Sequence, residues 1–192
     1  MTILPIDEIN ALKEKLVVHF EDGGKGRIKS KQDCEDIIDE LFDLFLLAYS
    51  YGATATNTEL GTDSMPPVDA VEAAVNKPVA GETWRDRVLG YYESGGTLYD
   101  IQRIAETDAT RIYNQGAADA VIANGREDTT MKWWRTKRDD RVRDTHAYLE
   151  DVSVPFNAEF YSYDGDHAFA PGQFELPENN INCRCWLEVE GV

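Results

Sequence analysis

Two short blocks hold most of the side chains in this sequence that could do chemistry. Trp133-Trp134 lead into Asp139-Asp140-Arg141-Val142-Arg143-Asp144-Thr145-His146, and Asn182-Cys183-Arg184-Cys185 follows near the end. On a regular strand, Cys183 and Cys185 point the same way with their backbones about 7 Å apart. That spacing suits two ligands of one zinc ion and is poor geometry for a disulfide between them. His146 offers a third ligand, and Asp139, Asp140, His167 or a water remain as the fourth. Three protein ligands plus water would be a catalytic arrangement, and four protein ligands a staple for a small domain. The same residues also read without metal, as two small inward-facing thiols and a histidine bonded to backbone.

Arg141, Arg143 and Arg184 have a structural reading of their own. A guanidinium fork bonded to Asp139, Asp140 or loop carbonyls ties down a domain with few regular elements. The sequence has no Gly-x-Ser-x-Gly elbow and no His-Glu-x-x-His, so its residues give no support to an enzyme. The stretch from Lys132 to Arg143 is locally basic. Lys132, Arg135, Lys137 and Arg138 are the candidates for weak contact with DNA, against the alternative of a solvated face paired with Asp139, Asp140 and Asp144. Elsewhere the net charge of −17 opposes binding to DNA or anionic membranes.

These blocks need elements to position them. A length of 192 residues with 42% hydrophobic content fits one medium or two small packed domains. Apolar steps of three and four predict a helix over 5–20, with Pro5 in its first turn. Gly23, Gly24 and Gly26 lie in a plain loop, lacking the flanks of a phosphate loop. A second helix is capped by Ser30, buries Cys34 in the core and ends at Gly52. Thr, Gly, Asn and Ser over 53–66 predict a loop or linker. Short helices follow over 68–76 and after Thr83, and a long one runs from Thr97 to Gly125. The polar middle of that helix is accounted for by exposed pairs, Arg103 with Glu106 or Thr107 and Asp108 with Arg111.

After Gly125 the texture changes to short aromatic runs broken by Pro and Gly. Strands are expected over 131–135 and 181–189, the latter with Ile181, Cys183, Cys185, Leu187 and Val189 on one face. Residues 141–149 form a turn or short helix that places Val142 and His146 on one side. The fold class is α+β: an N-terminal helical region, 1–125, then a small loop-rich β-containing domain, 126–192. Three cysteines, no signal peptide and no apolar run long enough for a bilayer point to a reducing cytoplasm without a disulfide framework.

The order of blocks resembles a known family. Trp134-x-x-x-x-Asp139-Asp140-x-Val142-Arg143-x-x-His146 is followed by Leu149-Glu150, Pro155-Phe156 with Phe160, Pro171-Gly172 and Ile181-Asn182-Cys183-Arg184-Cys185. Upstream, Ile104 to Asp108 with Asn114 and Gly116 is similar to the helix preceding that domain. The pattern resembles the phage head morphogenesis family, the Mu F-like and SPP1-type minor head proteins. The resemblance spans about residues 80–190 and implies a non-enzymatic minor head protein, assembled in the bacterial host cytoplasm and carried in the virion. Its expected partners are the portal or major capsid protein and, weakly, phage DNA, with no membrane or small-molecule substrate. Its expected roles are head assembly and DNA delivery. Relatives with a fuller zinc site carry Cys-x-x-Cys where this chain has Arg143 and His146, so an arginine network stands as the replacement for metal here.

Overall fold

The computed structural model describes residues 6–79 and 81–192, which places Pro5 outside it. Helix α1 (Ile6–Leu16) buries Ile9, Leu12 and Leu16. It ends earlier than its apolar periodicity, because Val17–His19 form a 3-10 turn and Phe20 then bridges to Ile28. Phe20 stays buried in extended backbone. Asp22 and Gly23, both at positive φ, make the turn between the bridged residues.

Helix α2 (Lys31–Leu60) starts as expected, with the Ser30 hydroxyl accepting the Asp33 N–H at 3.1 Å. Its end corrects the sequence reading: the helix passes through Gly52 and stops at Gly61, which is left-handed at φ 65. Residues 53–60 are therefore helical, and only the following segment to Pro67 is a connection. Gly52 is where α2 touches helix α5 (Leu98–Ala123). A Cβ on Gly52 would sit 1.9 Å from the Tyr113 carbonyl oxygen, and one on Gly116 would sit 2.2 Å from that of Tyr49. The glycine serves a close backbone approach rather than a stop.

Helix α3 (Val68–Asn76) and helix α4 (Trp84–Ser94) complete the helical layer, α4 and α5 each opening with a capping box, Thr83/Asp86 and Thr97/Asp100. The exposed-pair account of α5 is corrected in part. Asp108 and Arg111 do pair, but both are buried, and Asp108 also accepts from Arg87 at 2.7 Å. Arg111 donates further to the Ala74 carbonyl. Arg103 binds Tyr91 and Asp100, Glu106 pairs with Lys13 of α1, and the Thr107 hydroxyl accepts the Asn182 N–H.

The C-terminal part is built on an antiparallel sheet ordered β2 (Ser153–Pro155), β1 (Thr130–Arg135), β5 (Trp186–Gly191). A hairpin of β3 (Phe160–Tyr161) and β4 (His167–Ala168) packs beside it, with the one-turn helices α6 (Asp144–Ala147) and α7 (Pro177–Asn180). The strand expected from 181 begins only at Trp186. Asn182 is left-handed at φ 55, and Ile181 is exposed rather than inward. Ala118 and Val121 of α5 join Trp134, Phe156, Phe160, Phe174, Leu187 and Val189 in a second hydrophobic cluster, distinct from the one among the helices. No helix among the described residues is long and apolar enough to cross a membrane.

Lys132 requires a correction. Pleat alternation on β1 puts it on the same inward face as Thr130 and Trp134, and it is fully buried. Its Nζ donates to the Phe169 carbonyl at 2.7 Å and lies over the rings of Phe156, Phe160 and Phe169, so it reaches no phosphate. Burial lowers its pKa to about 7. The unfolded chain holds this proton up to about pH 10.4, so between those values the unfolded state binds more protons and stability rises with pH. Lys132→Met should remove that rise between pH 7 and 10 in urea titrations. An unchanged pH slope in the variant would show that the ammonium is not the group responsible.

Candidate functional site

The two motif blocks meet. Helix α6 presents His146 from one side, and the irregular segment between α7 and β5 presents Cys183 and Cys185 from the other. All three are buried. The His146 Nδ1 lies 3.4 Å from Cys185 Sγ and 3.7 Å from Cys183 Sγ. The imidazole stacks on Phe174 with centroids 5.3 Å apart and meets Trp134 edge-on at 5.6 Å. Trp134 in turn touches Phe160 and Phe174, so it forms the centre of this second core.

The thiols differ electrostatically. A hydrogen bond from Cys185, helped by His146, holds the Cys183 thiol well below its usual range against the cost of burial. Cys185, which donates that bond and is itself buried, is pushed up.

The arginines close the loops around this cluster. Arg184 grips Asp139 with two bonds of 2.7 and 2.6 Å, which hold the Asp139 carboxyl below its ordinary range. Asp139 also accepts the Arg141 N–H at 3.1 Å, and Arg143 donates to the Ile181 carbonyl. Asn182 is anchored to α5 through Thr107. Asp140 and the Arg141 side chain are exposed, and no hydrogen bond joins either to the cluster. His167 does not join it either: its Nε2 faces Glu159 at 3.7 Å and its ring packs on Tyr161.

Asn114 enters the sequence reading only through the upstream resemblance, which gives no sign of its role. It is fully buried in α5. Its Nδ2 donates to the carbonyls of Thr110, Pro171 and Cys185, and its Oδ1 accepts the Leu187 N–H at 2.7 Å. One amide thus fixes the backbone on both sides of Trp186 to the helical layer. Its place amid small residues on the buried side of α5 was the available signal.

The donor set fits three-quarters of a tetrahedral zinc site. Zn–S bonds of about 2.3 Å and Zn–N bonds of about 2.0 Å imply S···N spacings near 3.5 Å, and the observed ones are 3.4 and 3.7 Å. His146, Cys183 and Cys185 would hold the ion, which when bound would cross-link α6 to the segment before β5. Beside them, Arg141, Val142, Arg143, His146, Asn182, Arg184 and Cys185 line a cavity of about 10 Å³. That is room for about one water and for no substrate. The alternative reading of these three residues, a metal-dependent effector or hydrolase, needs a substrate cleft, and the cavity beside them is too small to be one.

Of the remaining basic residues, Arg135 pairs with Glu188 and Asp151, and Arg138 with Glu150 and Asp151. Lys137 lies over the Trp186 ring at 5.6 Å. Their charge is largely matched where they stand.

Helices anchoring a small sheet whose loops are locked by a buried His–Cys cluster and an arginine–carboxylate clasp define a structural module. Among known families, the model of the phage Mu protein F-like proteins matches residues 71–188. The chain belongs to that family, and membership implies a protein of phage head morphogenesis. No curated protein and no solved structure matches the chain significantly.

Proposed function

We propose that this chain is a non-enzymatic minor head protein that assembles with the portal or major capsid protein and acts in head assembly or DNA delivery. The observation that carries this reading is the family match across 71–188, which takes in α4, α5 and the cluster built by His146, Cys183 and Cys185. The motif residues serve rigidity in this reading. They close loops that contain few regular elements, beside the bonds that Asn114 and Asp166 make to the same segments. The acidic surface and the paired state of Arg135 and Arg138 leave DNA as a minor partner, reached through Lys137 at most.

The test is a deletion of the gene in the phage that carries it, with mass spectrometry of purified heads. The protein is expected in wild-type heads at low copy number. Deletion is expected to lower the yield of infectious particles, either through fewer intact heads or through filled heads that fail to deliver DNA. Absence of the protein from purified heads, together with undiminished infectivity of the deletion, would refute the proposal.

A further inference from the structure

The outer face of the β3–β4 hairpin carries aromatic surface that neither core uses. Burial alternates along the strand: Phe160 and Ser162 point in, while Tyr161 and Tyr163 point out and are each 61% exposed. Tyr161 meets His167 across the hairpin with centroids 5.6 Å apart. Tyr163 meets Tyr148, which follows α6, edge to face at 5.9 Å. Tyr148 is 59% exposed, so three large rings stand in water on one side of the C-terminal module. Among the described residues none of their hydroxyls has a hydrogen-bond partner.

The segment that carries them is acidic. From Asp144 to Cys183 the sequence contains eight carboxylates and no lysine or arginine. Glu150 and Asp151 are taken up by Arg135 and Arg138, and Asp166 is consumed within its own turn by the N–H groups of His167, Glu175 and Leu176 and by Asn179. Glu159, Glu175 and Glu178 are exposed with no cationic partner beyond the His167 contact of Glu159, and Asp164 is exposed while accepting from Ser162 and Asn179.

We propose that this face binds an arginine-rich, extended segment of a partner protein. Guanidinium planes would stack on Tyr148, Tyr161 and Tyr163 and pair with Glu159 and Glu175. Each feature selects this chemistry. Tyrosines are favoured anchors at protein interfaces because they bring large area at little entropic cost. Arginine stacks flat on a ring and bonds a neighbouring carboxylate at once, which lysine does less well. A nucleic acid would find rings to stack on, but the segment itself holds no cation to meet its phosphates, and the nearby Arg138 is already paired with Glu150 and Asp151. An apolar segment would leave the carboxylates facing it without partners. This inference rests on the surface alone and does not depend on the head-protein reading.

The test uses the whole chain and a short fluorescein-labelled peptide of alternating arginine and serine, followed by anisotropy at low and moderate salt. Tyr148→Ser/Tyr161→Ser/Tyr163→Ser leaves the net charge untouched, and it is expected to weaken binding about tenfold. Tyr99→Ser, at an equally exposed ring on α5, should change it less than about twofold. Glu159→Gln/Glu175→Gln should weaken binding as well, and it keeps the test decisive if the triple variant unfolds. Equal affinity of the wild type and the folded tyrosine variant would show that only the global negative charge attracts the peptide, and would overturn the proposal. A wild type that sediments as a dimer and a tyrosine variant that sediments as a monomer would also overturn it, in favour of a second copy as the occupant.

Discussion

Replacing Gly116 by valine is expected to abolish cooperative folding or to cost about 4 kcal/mol or more. The reason lies in backbone, which cannot step aside as a side chain can. A Cβ at Gly116 would stand 2.2 Å from the Tyr49 carbonyl oxygen, and the reciprocal atom at Gly52 only 1.9 Å from that of Tyr113. Helices α2 and α5 share the most extensive contact in the molecule, so separating them to make room also opens the layer beneath β5. Tyr49, whose hydroxyl donates to Asp119 at 2.7 Å, would be displaced with it. Gly61→Ala is the control: nothing lies near its missing Cβ, and only its left-handed φ is disturbed, at about 1 kcal/mol. Urea melts of the three proteins check this. A Gly116→Val midpoint no lower than that of Gly61→Ala would mean that the helices are not in backbone contact at this crossing.

Asp108→Ala is the second large effect. Asp108 is the single carboxylate between Arg87 and Arg111, and both it and Arg111 are buried. Burial already weighs on the Arg111 guanidinium and lowers its pKa, with the Asp108 charge as the main opposing influence. Removing the acid leaves two like charges facing each other beneath α3, an expected loss of about 3–5 kcal/mol. The Asp108→Leu/Arg111→Met pair should recover much of that loss, since it removes the buried charges together. The Ala74 carbonyl then loses its donor and Arg87 its carboxylate, which keeps the recovery partial. A single variant as stable as the wild type would show the pair to be solvated rather than buried. A double variant less stable than the single one would show that the Arg111 bond to Ala74 outweighs the charge cost.

By itself the sequence determined the local events. Ser30, Thr83 and Thr97 mark helix starts because capping needs only a hydroxyl and an acid three residues on, and the change of texture after Gly125 marks where helices give way to strands. It also singled out the His146, Cys183 and Cys185 set, since residue type and order survive any detail of the backbone. The tertiary structure decided everything that depends on what lies opposite. Gly52 reads as a stop until the Tyr113 carbonyl is seen against it. Lys132 reads as a surface charge until β2 and β5 enclose its strand and three phenyl rings surround it. The polar run in α5 reads as solvated until Arg87, the Ala74 carbonyl and the Asn182 backbone are found across from it. Cys183 and Cys185 face His146 without the regular strand that spacing suggested, because Asn114, Arg184 and the left-handed Asn182 place that segment. A one-dimensional pattern reports which face of an element is apolar. Whether a polar or a small residue on it is tolerated, required or ruled out is set by the partner that packing brings, and that partner is most often far away in the chain.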